Sequence, residues 1–311
     1  MSNLPVIGVI GLGNMGLPMA KNLLDANCKV FGFDVNKSAE EKFKAHGGQV
    51  AASVAELAGK AEVVITSLPS PEVVEDVFLR PDGIIENASA GLIAVDTSTV
   101  TPRLNEQLSD ACRKKGIGYL AAPVSGGVIG AENRTLTIMV GGPAELYRKV
   151  LPIFEILGRN IFHLGENPAS GTAVKLINNL MIGFYTSAVS EALTLAGQMG
   201  VDLDRLFEVL NVSYGQSRIY ERNYKSFIAK NDFAPHFSLN LLLKDLRIAQ
   251  TMAEQSGIFL PITTELIGVY EKAGQAGFGG QDMAALYSYI QQIKTTPNSF
   301  KQNQSGEEMA R

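Results

Sequence analysis

Val6-Ile7-Gly8-Val9-Ile10-Gly11-Leu12-Gly13-Asn14-Met15-Gly16 is the stretch of this sequence that decides its fold. The apolar residues Val6–Ile10 predict a buried strand, and the glycines after it form the pattern Gly-x-Gly-x-x-Gly ahead of a helical pattern over Met15–Asp25. In such a unit the first glycine permits a tight turn, the second lets the backbone approach a pyrophosphate, and the third allows close helix–strand packing. The stretch therefore predicts a dinucleotide-binding domain.

The residue after the second predicted strand bears on the choice of nucleotide. That strand is Lys29–Phe33, and Asp34, which follows it, lies 18 residues past Gly16. A carboxylate about 20 residues beyond the glycines accepts the ribose hydroxyls of NAD and would repel a 2′-phosphate. NAD is therefore favoured over NADP, although Lys37 would weaken that preference. An ordinary strand–helix turn without a nucleotide is the alternative interpretation.

The rest of the chain extends this pattern into two domains. Short apolar runs alternate with helical patterns through the first half, which predicts a mostly parallel sheet covered on both faces. Beyond residue 165 the pattern is helical up to about Ile293. We therefore predict an α/β fold with a doubly wound Rossmann domain over 1–165, an all-helical substrate and oligomerisation domain over 166–296, and a flexible tail over 297–311. The predicted strands are Val6–Ile10, Lys29–Phe33, Glu62–Leu68, Leu92–Asp96, Gly118–Ala122, Leu136–Val140 and Asn160–His163.

Composition limits the class of protein. The 311 residues carry a net charge of −4 without a long cluster of lysines and arginines, which disfavours nucleic acid as a partner. Cys28 and Cys112 are too few for a disulfide scaffold or a zinc site, so we expect no metal and a reducing compartment. The N-terminus does not resemble a signal peptide, and we find no run of about 20 apolar residues that would predict a membrane span. A cytoplasmic protein is expected.

One lysine stands in an otherwise apolar helical pattern early in the second half. Lys175 is the only charged residue between Gly171 and Ser190. Asn178 and Asn179 follow three and four positions later, which places them beside it on one helix face. A buried lysine whose pKa falls toward neutral pH can exchange protons with a substrate hydroxyl, and an amide can orient it. The alternative is a lysine near the helix start that reaches solvent.

A glycine turn after another predicted strand offers an anion site. Ser125-Gly126-Gly127 follows Gly118–Ala122, and successive backbone N–H groups around two glycines form a concavity that suits a carboxylate. The Ser125 hydroxyl adds one more donor. A flexible loop is the alternative. The segment Asp96–Pro102, after a different strand, either caps the next helix or lines the cofactor crevice.

Other dehydrogenase designs do not fit this sequence. None of its tyrosines has a lysine four positions later, as short-chain dehydrogenases require, and two isolated cysteines cannot supply the ligands of a zinc enzyme. A histidine base paired to a carboxylate is the third design, and the histidines His46, His163 and His236 lie in no motif for it. By elimination Lys175 is the proton-transfer candidate.

With the glycine loop, the Ser-Gly-Gly turn and the lysine helix in this order, the chain resembles the β-hydroxyacid dehydrogenase family, and within it the 3-hydroxyisobutyrate dehydrogenases and their relatives. These relatives include tartronate semialdehyde reductases, 2-(hydroxymethyl)glutarate dehydrogenases, sulfolactaldehyde reductases and L-threonate dehydrogenases. The resemblance runs from Val6 to about Ile293, and its most specific part is Ile10–Met19. It implies an NAD(P)-dependent oxidoreductase that interconverts a small 3-hydroxy acid and its semialdehyde.

The resemblance also implies roles for individual residues. Lys175 would be the catalytic lysine, and Asn179 would help to orient the substrate. The substrate-binding residues would be Ser125, Gly126, Gly127 and Asn178. The cofactor-binding residues would be Gly11, Leu12, Gly13, Asn14, Met15, Gly16, Asp34, Leu68, Pro69, Thr99, Phe237 and Lys244. A last loop over Gly277–Asp282 would close on the site.

One position departs from the family pattern and leaves the substrate open. The family has Asp-Ala-Pro-Val-Ser-Gly-Gly at the substrate turn, whereas this chain has Ala121 in place of the acid. The change would alter the rigidity of the turn or the charge that the substrate meets. The alternatives are a reductase of another carboxylate- or sulfonate-bearing aldehyde, an imine reductase on the same fold, against which Lys175 argues, and a non-catalytic NAD-binding protein. The apolar helix around Lys175 predicts a homodimer or a homotetramer.

Overall fold

The computed structural model describes residues 4–293, which form two compact units. One unit comprises residues 4–181 and 244–263, and the other comprises residues 182–243 and 264–293. The segment 244–263 thus belongs to the same unit as the N-terminal half of the chain. The predicted tail, 297–311, lies outside the described residues, and the predicted domain boundary at residue 165 stays a prediction.

A parallel sheet of six strands forms the centre of the first unit. The strands are β1 (Ile7–Ile10), β2 (Val30–Phe33), β3 (Gln49–Val50), β4 (Val63–Thr66), β5 (Ile93–Asp96) and β6 (Gly118–Ala121). Their order is β3-β2-β1-β4-β5-β6, and every neighbouring pair is parallel. The strand order reverses at β1, and open α/β sheets bind their ligands at such a reversal.

Buried apolar side chains cover both faces of this sheet. Ile7 and Val9 of β1 belong to one buried cluster, while Ile10 of the same strand belongs to another. Successive side chains of a strand point to opposite faces, so a strand buried on both sides must be apolar throughout. This explains why the short continuous apolar runs predicted the sheet correctly, and the predicted doubly wound α/β fold is confirmed.

A second, smaller sheet has three strands. These are β7 (Val124–Ser125), β8 (Leu136–Val140) and β9 (Gly158–His163), in the order β7-β8-β9. The β7–β8 pair is antiparallel and the β8–β9 pair is parallel. The sequence pattern predicted β8 and β9 but neither β7 nor β3, because two-residue strands are too short to show a period.

Helices cover the sheets and make up most of the second unit. Ser53, Ser70 and Thr101 cap helices with their hydroxyls, which is the usual role of these residue types. The helices are α1 (Gly16–Asp25), α2 (Lys37–Ala45), α3 (Val54–Lys60), α4 (Pro71–Leu79), α5 (Ile84–Asn87), α6 (Pro102–Lys114), α7 (Gly127–Glu132), α8 (Ala144–Leu157), α9 (Ala169–Gln198), α10 (Leu203–Asn211), α11 (Arg218–Asn223), α12 (Leu239–Gln255), α13 (Pro261–Ala273) and α14 (Leu286–Gln292). Shorter helical segments are the π-helical Tyr224–Ile228 and Gly274–Phe278 and the 3₁₀ turn Met283–Ala285.

The long helix α9 is less buried than its composition suggests. Val174, Ile177, Met181 and Tyr185 are 38%, 53%, 44% and 40% exposed, and their spacing of three or four residues places them on one face. A helix that is apolar all round is usually buried on every side, but within residues 4–293 of the single chain one apolar face of α9 is uncovered. Among the described residues α9 is also the one helix long and apolar enough to cross a membrane, a test that core helices of globular proteins pass as well.

Candidate active site

The glycine loop between β1 and α1 has the geometry that a pyrophosphate requires. Gly11 has a φ of +91°, which favours glycine, and a Cβ on Gly16 would overlap the carbonyl oxygen of Gly11. A Cβ on Gly13 would meet nothing within 4 Å, so the backbone there is open to an approaching group. Asn14 is exposed, and Met15 immediately precedes α1. The loop thus presents the start of a helix, whose first N–H groups have no intrahelical acceptor, to an anion.

Asp34 stands where a ribose acceptor is expected, directly after β2. Its carboxylate accepts hydrogen bonds from the backbone N–H of Leu12, at 2.6 Å, and from that of Asn36, at 2.7 Å. These bonds fix the carboxylate beside the glycine loop and leave lone pairs for ribose hydroxyls. The residues present therefore fit a dinucleotide at this sheet edge.

A buried aspartate organises the ends of β4 and β5. Asp96 is fully buried, and its Oδ1 accepts hydrogen bonds from the Thr66 hydroxyl, at 2.7 Å, and from the Ser98 N–H, at 3.0 Å. Burial raises the pKa of the Asp96 carboxyl, and the hydrogen bonds from Ser98 and Thr66 oppose that rise. The Ser98 hydroxyl in turn accepts a hydrogen bond from the N–H of Leu68 at 2.9 Å, which positions the segment that contains Pro69. Leu68 and Pro69 are half-buried and exposed, respectively.

The Ser-Gly-Gly turn joins β7 to α7. Ser125 pairs with Thr137 of β8, and Gly126 and Gly127 have φ values of +132° and +62°. Both glycines are exposed, and a Cβ on Gly127 would meet nothing within 4 Å. The turn therefore presents backbone N–H groups at an accessible surface, an arrangement that suits an anion.

The substituted residue Ala121 lies in the core. It is fully buried and stands in register with Asp96 on the neighbouring parallel strand, within the cluster that also holds Tyr119. Its N–H and carbonyl both pair with Gly141. An acid at this position would therefore be buried beside Asp96, and the expected effect on turn rigidity or on the charge met by the substrate stays a prediction.

Lys175 is buried in the second turn of α9, with 8% of its surface exposed. Burial lowers the pKa of its amine below the ordinary lysine value, the nearby charge of Asp245 raises it, and the charge of Lys244 lowers it. The alternative of a lysine that reaches solvent is therefore wrong. A buried amine with a lowered pKa is suited to proton transfer.

Asn179 and Asp245 form a buried pair near this lysine. The Asn179 side-chain N–H donates to Asp245 Oδ2 at 2.5 Å, and Asn179 Oδ1 accepts from the Asn178 amide at 3.0 Å. Asn179 is fully buried and Asp245 is 2% exposed. The two hydrogen bonds fix which end of the Asn179 amide is the donor, and its second N–H hydrogen stays available to a ligand.

Lys244 links α12 to the end of β5. Its Nζ donates to the carbonyl oxygen of Thr99 at 3.1 Å and lies 3.2 Å from Asp245 Oδ1. Thr99 is half-buried. Lys244 therefore brings positive charge to the strand ends where the cofactor residues were predicted.

Phe237 lies in the second unit, where it is held by Asp282. The Phe237 N–H donates to Asp282 Oδ2 at 3.1 Å, and the N–H of Met283 donates to the Phe237 carbonyl. Asp282 is fully buried and forms a two-bond ion pair with Arg222. Gly277 in the same predicted loop has a φ of +95°.

Among the described residues no cluster of histidine, cysteine, aspartate and glutamate could hold a metal ion. Cys28 and Cys112 are both free and buried. Burial raises the pKa of the Cys112 thiol to about 12, so this thiol is inert at neutral pH.

Comparison with known proteins agrees with this geometry. Residues 6–165 match the family model of the NAD binding domain of 6-phosphogluconate dehydrogenase, and residues 169–290 match that of the NAD-binding domain of NADP-dependent 3-hydroxyisobutyrate dehydrogenase. The chain is 36% identical over 287 residues to 2-(hydroxymethyl)glutarate dehydrogenase of Eubacterium barkeri, with 92% of this chain and 95% of that protein covered. The chain belongs to the 3-hydroxyisobutyrate dehydrogenase group of the β-hydroxyacid dehydrogenases. It is an NAD(P)-dependent oxidoreductase of the class that acts on CH–OH donors, as the resemblance implied.

Solved structures of 3-hydroxyisobutyrate dehydrogenases share the whole fold. The Mycobacterium tuberculosis enzyme, solved with L-serine, superposes with a TM-score of 0.85 at 32% identity and covers 92% of this chain and 99% of its own. An imine reductase from Myxococcus stipitatus, solved with NADP⁺, has a TM-score of 0.63 at 18% identity and covers 92% of this chain and all of its own. The second likeness is one of fold alone, so the dehydrogenase assignment is the better supported.

Sequence reasoning missed two acidic residues of this site. Asp245 was not assigned a role, although an acid beside Lys244 in the otherwise apolar Leu241–Leu246 was a signal for a buried ion pair. Asp96 was noted only as a strand end and as part of the segment Asp96–Pro102, without a role of its own. Its bond with the Ser98 N–H is local, but its partner Thr66, 30 residues away in sequence, is adjacent to it only through strand pairing, which no local pattern discloses.

Proposed function

We propose that this 3-hydroxyisobutyrate dehydrogenase relative interconverts a small 3-hydroxy acid and its semialdehyde with NAD, and that Lys175 moves the proton. The observation that carries the proposal is the buried amine of Lys175 beside the hydrogen-bonded pair Asn179–Asp245. Neutral Lys175 takes the hydroxyl proton in oxidation, and protonated Lys175 returns it to the carbonyl oxygen in reduction. Asn179 donates its remaining amide hydrogen to the hydroxyl oxygen of the substrate. Asn178 supports this orientation, because its amide donates to Asn179 Oδ1.

The substrate carboxylate has its own binding site in this proposal. The Ser125 hydroxyl and the N–H groups of Gly126 and Gly127 bind it, which positions the reacting carbon relative to the protein. Holding both ends of a small substrate in this way supplies a large share of the rate enhancement by orientation.

The cofactor residues divide between the two halves of the dinucleotide. NAD(P), when bound, would supply the hydride acceptor for oxidation and the hydride donor for reduction. The pyrophosphate is held by the loop Gly11–Gly16 and the adenosine ribose by Asp34. The nicotinamide half is held by Leu68, Pro69, Thr99 and Lys244, and the part expected of Phe237 stays a prediction. Asp34 favours NAD over NADP, because its carboxylate would repel a 2′-phosphate.

The proposal does not specify which chemical group the substrate carries beyond its hydroxyl-bearing carbon. Relatives are named for 2-(hydroxymethyl)glutarate and 3-hydroxyisobutyrate, and one structure was solved with L-serine. All three compounds carry a carboxylate and a hydroxymethyl group on the same carbon, which is the feature that a carboxylate site and a proton-transfer lysine would select. An aldehyde that bears a sulfonate in place of the carboxylate is the alternative substrate class.

The test combines a substrate screen with a variant of the lysine. NAD reduction is followed at 340 nm over 3-hydroxyisobutyrate, L-serine, 2-(hydroxymethyl)glutarate, L-threonate and glycerate, with NADP in parallel. For the best substrate, Lys175→Met should lower kcat by at least about a thousandfold, since a positioned general acid/base contributes about that much. NADH affinity should change less than about twofold, and the exposed Lys114→Met should leave both quantities unchanged. Turnover retained by Lys175→Met would remove this lysine from the mechanism.

We also propose that the protein is a cytoplasmic homodimer or homotetramer. The support is the uncovered apolar face of α9, Val174, Ile177, Met181 and Tyr185, together with the two free, buried cysteines. Sedimentation velocity measures the mass directly, and a monomer at every concentration would contradict the assembly.

A further inference from the structure

Glu40, in the first turn of α2, is a buried acid that the mechanism does not use. It is 6% exposed, and both of its oxygens have partners within six residues of sequence. Oε1 accepts a hydrogen bond from the backbone N–H of Asp34 at 3.3 Å, and Oε2 accepts one from the Lys37 ammonium at 2.8 Å. Glu40 therefore contacts the backbone of Asp34, the residue that the proposed function assigns to the ribose.

The segment from Asp34 to Glu40 carries more negative than positive side chains. Between Asp34 and Glu40 the sequence holds two carboxylates and a single cationic side chain, Lys37. The Lys37 side chain is 73% exposed, so its stem lies in solvent, but its ammonium forms the ion pair with Glu40. A 2′-phosphate that approached the end of β2 would meet the Asp34 carboxylate and a lysine whose charge is already balanced.

We propose that Glu40 is a second specificity-determining residue for the cofactor: by holding Lys37, it prevents that lysine from binding a 2′-phosphate, and it adds negative charge behind Asp34. The inference rests on the proposed preference for NAD. On this proposal Lys37, which by its position in the sequence would soften that preference, is held by Glu40 instead.

A purely structural role for Glu40 makes a different prediction. Glutamine keeps an oxygen that can accept from the Asp34 N–H, so Glu40→Gln preserves the contact that supports the backbone and removes only the charge. A structural residue would then leave the discrimination between the two nucleotides unchanged. A specificity residue would shift it.

The test is the direct binding of NADH and NADPH, followed by nucleotide fluorescence, without any substrate. For Glu40→Gln the ratio of the NADPH Kd to the NADH Kd should fall about five- to tenfold, because removing a carboxylate beside a partly solvated lysine restores an attraction of that size. Glu41→Gln, an exposed acid one position later on the same helix, loses the same charge and should change the ratio less than about twofold. In the double variant Glu40→Gln/Lys37→Ala the gain should disappear, because it depends on the released ammonium.

Two results would overturn this inference and leave the proposed function standing. One is a wild-type protein that prefers NADH together with a Glu40→Gln ratio equal to that of Glu41→Gln. The other, which does not depend on Glu40→Gln folding, is a Lys37→Ala variant of the wild type that binds NADPH at least about fivefold more weakly, since this would mean that Lys37 already serves the phosphate. A wild-type protein that binds neither nucleotide would overturn the proposed function as well.

Discussion

Replacing Gly171 by alanine would displace the helix that carries Lys175. Gly171 lies in the first turn of α9, where a Cβ would overlap the carbonyl oxygen of Met139 and lie 2.9 Å from Gly141 N and 3.1 Å from the carbonyl oxygen of Ala121. All three atoms are backbone, so no flexible side chain can yield, and ordinary contact begins at 3.4 Å. Relief requires α9 to move away from the strands by roughly 1 Å, a displacement that can reduce catalysis about a hundredfold.

We expect Gly171→Ala to lower kcat/KM about a hundredfold and to reduce the free energy of unfolding by about 1–3 kcal/mol, the usual effect of overpacking. The Kd of NADH should stay within about twofold, since no glycine of the nucleotide loop is touched. Steady-state kinetics, nucleotide fluorescence and urea unfolding measure the three quantities. Gly197→Ala on the same helix is the matched control, because a Cβ there meets nothing within 4 Å. Full activity in Gly171→Ala would refute the reasoning.

The remaining predictions concern buried charge. Asp245→Asn removes the charge that raises the pKa of Lys175, so the pH above which the aldehyde-reduction rate falls should be lower in this variant. Lys244→Met removes a charge that lowers the same pKa, so there the fall should begin at a higher pH; pH–rate profiles that shift in the same direction in both variants would contradict this. Ala121→Asp places a second carboxylate in register with buried Asp96, and one of the two must bind a proton. The native state then binds more protons than the unfolded chain, so its free energy of unfolding should decrease as the pH rises from 5 to 8. Urea unfolding should show a decrease about 2 kcal/mol larger than in the neutral variant Ala121→Asn. The same pH dependence of stability in both variants would contradict this prediction.

Local sequence was enough for the longer strands of the sheets and for the residue types proposed for the site, but not for the two-residue strands β3 and β7. The glycine pattern at Gly11–Gly16 and the continuous apolar strands carry their own structural reason, because a tight turn needs glycine and a strand buried on both faces needs apolar residues at every position. Likewise a single lysine in an apolar helix implies an unusual environment wherever the helix packs. These properties depend on neighbours within a few residues.

Tertiary structure alone decided which residues meet. Asn179 and Asp245 are 66 residues apart in sequence, and Lys244 and Thr99 are 145 apart, yet each pair forms a hydrogen bond. The position of Ala121 in the core beside Asp96 likewise follows from strand register. Periodicity specifies each element and the face it buries, but the pairing of distant elements depends on the packing of the whole unit. The pKa of Lys175 is therefore a property of the fold, while the presence of a lone lysine in its helix is a property of the sequence.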